Sequence, residues 1–299
     1  MSDAPSAEGG SHPLPVGPPA ADADAGLVGG SRAGRNLPMA IGVGLGLGAL
    51  IVGSLLLFRQ LFVGIIGLAV AASVWELRGT LASARNITIS WLPIAVGSLA
   101  TIALAWPYGH TAQVVGVVVT ALACLAWRFR RGSVRYLSDV AASVFLVVYL
   151  GLFASFATLM VAPADGSQRV LTFLIVVVCS DTGGYAAGVF FGRHPMAPSI
   201  SPKKSWEGFS GSVLVAMIGG SLSVALMLDH PWWQGAVLGA VLAVVATGGD
   251  LAESLIKRDL GVKDMGRLLP GHGGIMDRLD SLLPSAVVCW LLLSVLVPV

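Results

Sequence analysis

"GVGLGLGALIVGSLLLFRQLFVGIIGLAVAASV", residues 42–74, holds a single charged side chain, Arg59, in 33 residues. A helix rises about 1.5 Å per residue and a bilayer's hydrocarbon is about 30 Å thick, so about 20 apolar residues cross once. The apolar run 37–75 is too long for one crossing and too apolar for a soluble helix. Arg59-Gln60 is the natural turn, which divides the run into helices over 38–58 and 61–76, the second one short.

Extending outward from that pair, apolar runs over 88–106, 112–127, 138–161, 170–191, 209–228, 232–247 and 282–298 predict about nine transmembrane helices in an all-α polytopic protein. The whole chain agrees: 55% of its 299 residues are hydrophobic, 11% are charged, and the mean hydropathy is +0.82. Soluble domains carry about 25% charged residues. A formal net charge of +2 gives no reason to expect a nucleic-acid partner. Cys124, Cys179 and Cys289 lie inside apolar runs without metal-ligand spacing and are expected to be free. Residues 1–36, rich in Ala, Gly, Pro, Ser and Asp, read as a disordered cytoplasmic tail, and 37–299 as one membrane-embedded domain. The tail lacks the early basic stretch and closely following apolar region of a secretory signal, so the first span is expected to stay in the mature protein.

Lys and Arg in short loops stay on the cytoplasmic side. With the N-terminus inside, 16 basic residues fall inside and only Arg59 and Arg169 outside. Trp91, Trp106, Trp127, Trp232 and Trp233 fall near predicted span ends, where aromatic belts form, and "RFRRGSVR", 128–135, reads as a topology anchor.

Charge is concentrated at residues 250–281, which hold 11 of the 34 charged residues, six of them acidic. Acidic residues add little to topology, so a connecting loop does not account for them. In "GDLAESLIKR", 249–258, Asp250, Ser254 and Lys257 share one face if the eighth helix continues past the membrane surface. "PGHGG", 270–274, can turn backbone amides toward an anion. "DRLD" places Asp277 and Asp280 at the start of the last span, where a helix N-terminus favours acids in any case. Carboxylates from two helix ends, with Lys, Arg and a glycine-rich turn around them, suit metal-assisted phosphoryl or nucleotidyl transfer. A second polar island, "SDTGGY" at 180–185, sets Asp181 midway along an apolar span, where an ionisable group needs a polar cavity. "SPKKSWEG", 201–208, offers Lys203, Lys204 and Ser205 on the same side of the membrane. The candidate active-site segments are therefore about 180–208 and 248–281.

"SLIKRDLGVKDMGRLLPGHGGIMDRLD", 254–280, resembles the signature of the phosphatidate cytidylyltransferases, or CDP-diacylglycerol synthases. Ser254, Lys257, Arg258, Lys263, Asp264, Pro270, His272, Gly273, Gly274, Asp277, Arg278 and Asp280 fill its fixed positions. "SDTGGYAAGVFFGRHPMAPSISPKKSWEG" is similar to a second region of that family. The resemblance covers about residues 175–285 and implies an all-helical membrane enzyme, working as a homodimer, that turns CTP and phosphatidic acid into CDP-diacylglycerol and pyrophosphate. It implies that Asp250 and Asp277 hold the metal, magnesium, with potassium as a candidate second ion. Lys257, Arg258, Lys263 and Arg278 are then expected to neutralise phosphate charge. His272, Gly273 and Gly274 would position phosphate or nucleotide, and Asp181, Lys203 and Lys204 would wall the pocket. Ser205, Ser254, Asp264 and Asp280 complete the expected substrate contacts. A transporter would explain Asp181 but not the charged segment, and a CDP-alcohol phosphotransferase would need Asp-Gly and Ala-Arg spacings that are missing.

Overall fold

The computed structural model describes residues 33–129, 132–266, 268 and 273–298. Seven helices among them are long and apolar enough to cross a membrane, so the chain is an all-α polytopic integral membrane protein. They follow α1 (Ala33–Leu57), of which Gly44–Leu57 forms a shorter apolar stretch. The tail expected at 1–36 lies outside the described residues up to 32, and residues 33–36 belong to α1.

The turn between the first two helices falls at Phe58, and α2 (Arg59–Arg85) is 27 residues long rather than short. It does not stop at its first acid: Glu76 and Arg78 lie within it, and Asn86 in the left-handed region caps it. The runs 88–106 and 112–127 form a single element, α3 (Trp91–Phe129), broken at Gly109 with φ 55° and ψ −135°. A straight helix of its 39 residues would be about 58 Å long, nearly twice the hydrocarbon thickness. It folds back on itself instead, so that Gly97 lies against Thr120 and Gly116 against Thr101. Gly109 supplies a backbone conformation that side chains disfavour, and Pro107 removes an N–H just before it.

The next crossing, Tyr136–Val161, comprises α4 (Tyr136–Leu146), a π-helical turn (Val147–Leu152) and α5 (Phe153–Val161). Then come α6 (Gly166–Phe191), a hairpin of β1 (Pro195–Ala197) and β2 (Ser201–Ser205), α7 (Trp206–Met227) and α8 (Trp232–Leu260). A short α9 (Met276–Leu279) leads into α10 (Leu282–Leu296). The antiparallel hairpin, Pro195 opposite Ser205 and Ala197 opposite Ser201, is the one strand pair among the described residues. Helices α6, α7 and α8 pack as neighbours along their lengths. At one α7–α8 crossing a side-chain carbon on Gly235 would strike the backbone of Gly220. Small residues give such close approach, which lets dispersion hold helices together where lipid removes the hydrophobic driving force.

Two apolar cores stack along the bundle. One, with Met160, Val170, Phe173, Leu238, Leu242 and Leu293, lies toward the end where α5 meets α6. The other, with Val74, Ile94, Leu150, Met265, Met276 and Leu283, supports the opposite end. Charges are sorted in the same way. At the first end Arg59 bonds the carbonyls of Val161 and Pro163, and Arg169 bonds Asp165 and the carbonyl of Val297. At the other end Arg85 pairs with Asp259, Arg135 donates to the carbonyl of Arg85, and the buried Arg128 pairs with Asp139. All three cysteines are free, and Cys124 and Cys289 are buried.

Candidate active site

The second end carries a cavity of about 610 Å³ between α6, α7, α8, α9 and the hairpin. Asp181 projects into it from α6, beside Ser180, Gly184 and Tyr185 of the same helix. Helix α8 runs on past the membrane-length stretch to Leu260, as the "GDLAESLIKR" spacing anticipates, and so brings Asp250 and Lys257 to the cavity wall. Lys203 and Lys204 arrive on β2, and Asp277, Arg278 and Asp280 on α9 and the turn after it.

The hairpin is fixed at its base. Glu207, in the first turn of α7, accepts from the backbone N–H groups of Arg193 and His194 at 3.1 and 3.2 Å and pairs with the His194 ring at 2.5 Å. Ser205 caps α7 by accepting from the N–H of Gly208 at 3.1 Å, and its hydroxyl also faces the cavity. Lys204, so placed, forms an ion pair with Asp250.

Lys257 stands between two acids, 2.6 Å from Glu253 and 2.7 Å from Asp277. Asp277 also accepts from the N–H of Met265 at 3.1 Å and of Gly274 at 2.8 Å. Gly273, at φ +82°, makes the turn that presents this neighbouring amide. The Asp280 carbonyl accepts from the Tyr149 hydroxyl at 3.2 Å. Tyr149 comes from the π-helical turn, an irregularity often found at functional sites.

The carboxylate oxygens of Asp250, Glu253 and Asp280 approach within 4.8 Å of one another. Two unit charges at that separation repel by roughly 3.5 kcal/mol at an effective dielectric of about 20. Glu253 is fully buried, and its Oε1 has no hydrogen-bond partner. An orphaned buried oxygen among three acids is the donor set that a hard cation such as magnesium takes, so these residues fit one. Across the cavity, five carboxylates face four cationic side chains.

Ten of the sixteen sequence-predicted site residues line this cavity: Asp181, Lys203, Lys204, Ser205, Asp250, Lys257, Asp264, Asp277, Arg278 and Asp280. Gly273 and Gly274 lie just behind Asp277. Arg258 is exposed and points its Nε to the carbonyl of Ile200 at 3.4 Å, bracing the hairpin turn. Ser254 and Lys263 are not among the lining residues, and His272 and Pro270 lie outside the described residues. The sequence reading passed over Glu253 and Tyr149. Glu253 carries a local signal, being three residues after Asp250 and four before Lys257; Tyr149, in an unbroken apolar run, carries none.

Residues 39–296 match the cytidylyltransferase family. The chain is 43% identical over 279 residues to a phosphatidate cytidylyltransferase of Mycobacterium tuberculosis, covering 89% of this chain and 85% of that one. It is 44% identical over 281 residues to a protein of that name in Mycobacterium leprae, covering 89% and 90%. A phosphatidate cytidylyltransferase of Brucella suis is 41% identical over 147 residues, 47% of this chain and 54% of that one. With a family match spanning nearly all its membrane helices and relatives 43–44% identical over 89% of its length, the chain belongs to the cytidylyltransferase family.

Proposed function

We propose that this protein transfers the cytidylyl group of CTP to phosphatidic acid at the cytoplasmic face of the cell membrane, giving CDP-diacylglycerol and pyrophosphate. The observation that carries the reading is one cavity, at the ends of membrane helices, where an acidic cluster adjoins Lys203, Lys204, Lys257 and Arg278. A phosphatidate oxygen attacks the α-phosphorus of CTP in line, a new P–O bond forms, and the bond to the β-phosphate oxygen breaks as pyrophosphate leaves. The nucleophile is already anionic near neutral pH, so the residues are needed to position and neutralise rather than to remove a proton. Lys203 and Lys204 suit the polyphosphate from the hairpin side, and Arg278 and Lys257 from the α9 side. The acyl chains stay in lipid beside the bundle.

A magnesium ion, with potassium as a candidate second ion, would supply positive charge to offset the negative charge that develops on the phosphates. The resemblance pairs Asp250 with Asp277 as ligands. The convergence of Asp250, Glu253 and Asp280 within 4.8 Å favours a second set that shares Asp250. Nine crossings, counting the two arms of α3 separately, a cytoplasmic N-terminus and a homodimer complete the proposal. Pyrophosphate release measured across a magnesium series separates the two ligand sets. Asp277→Asn raising the magnesium requirement tenfold or more, with Asp280→Asn near wild type, selects the first set, and the reverse selects the second. CTP-independent solute flux without pyrophosphate would instead indicate a transporter.

A further inference from the structure

Glu76 sits on α2, remote in sequence from both active-site segments, yet it is buried beneath the glycine-rich loop that precedes α9. Its Oε1 accepts from the N–H of Leu268 at 3.1 Å, and its Oε2 from those of Ile275 at 2.8 Å and Met276 at 3.3 Å. Thr80, one turn further along the same face, donates its hydroxyl to the carbonyl of Met265 at 2.7 Å. A side-chain carbon at Gly266 would collide with the Glu76 carboxylate, and one at Gly274 would come within 2.8 Å of its Oε2. Gly266 and Gly274 thus leave room for that acid.

Asp277 takes the neighbouring amides of Met265 and Gly274. Two carboxylates far apart in the sequence therefore hold five described N–H groups of this region, Asp277 those of Met265 and Gly274 and Glu76 those of Leu268, Ile275 and Met276. Hydrogen bonds to an ionised acceptor are about twice as strong as neutral ones, and a buried one left unmade is costly. From these contacts we infer that Glu76, with Thr80, is a positioning residue. It holds Ile275 and Met276 so that Asp277, next in the chain, reaches Lys257 and the cavity. It acts through the loop and touches no reacting atom.

The kinetic part of the test rests on the cytidylyl-transfer reading, but amide hydrogen exchange does not. In the full-length protein in nanodiscs, Glu76→Gln is expected to speed exchange at Leu268, Ile275 and Met276 by about tenfold or more while peptides of α6 and α7 stay as in wild type. The Michaelis constant for CTP should rise at least about fivefold in the same variant, with Glu76→Asp recovering part of the loss. Wild-type exchange in the loop of Glu76→Gln, or wild-type kinetics, overturns the inference. If Glu76→Gln does not fold, Thr80→Val decides: faster exchange around Met265 supports the inference, and unchanged exchange overturns it. Wild type that releases no pyrophosphate would remove the cytidylyl-transfer reading and leave the exchange result to judge Glu76.

Discussion

Lys257 is the residue on which the site's electrostatics turn. It bridges Glu253 and Asp277, which are almost wholly buried, so removing its charge leaves two acids without their cation. Breaking a buried pair in this way typically costs about 3–5 kcal/mol. Lys257→Met is expected to lower the thermal midpoint of the purified protein, followed in detergent, and to abolish turnover as well. A variant of unchanged stability would show that the acids find other partners. Tyr149→Phe tests a finer contact: losing one neutral hydrogen bond to the Asp280 carbonyl should cost about 0.5–1.5 kcal/mol, read as a shift in thermal midpoint, with turnover reduced less than about tenfold. Much of this was legible in the sequence, because Asp250, Lys257, Asp277 and Arg278 stand out as charge in a greasy chain. Glu76 did not, because an acid near the end of an apolar run reads as the membrane's edge when its partners are backbone amides nearly 200 positions away.

At the scale of elements, the length and hydropathy of apolar runs were enough to place helices, but tertiary contacts set where they end. The turn expected at Arg59-Gln60 falls just before it, at Phe58, and Arg59 and Gln60 open α2 instead. Glu76 and Arg78 do not end α2, because protein rather than water or lipid surrounds Glu76. The α3 fold at Gly109 was legible as a gap between two apolar runs, whereas its geometry depends on a glycine conformation. Gly109→Ala is expected to cost about 1–3 kcal/mol of stability, seen as a lower thermal midpoint, with the Michaelis constant for CTP unchanged in the folded fraction. The β hairpin had no alternating pattern to betray it; its form depends on Glu207 and Ser205 pinning its base. Glu207→Ala should therefore loosen Lys203 and Lys204 and raise the Michaelis constant for CTP about tenfold, with little change in stability.

Across the whole molecule, basic residues gather at the end that bears the cavity, while Arg59 and Arg169 hold the other. That sorting was foreshadowed by the 16 to 2 split of Lys and Arg, since topology is written in the same charges that a phosphate site uses. If the cavity faces the cytoplasm, a membrane-impermeant thiol reagent on intact cells should label Ala164→Cys in a background with the three native cysteines replaced, and leave Lys263→Cys unlabelled until the membrane is opened. The proposed work of the acidic cavity is to move a cytidylyl group onto phosphatidic acid. Purified protein in nanodiscs containing phosphatidic acid, given CTP and magnesium, should release pyrophosphate and form CDP-diacylglycerol in equal amounts, while Asp250→Asn should be ~100-fold slower or worse. No pyrophosphate from the wild type, or near-normal turnover in Asp250→Asn, would contradict it.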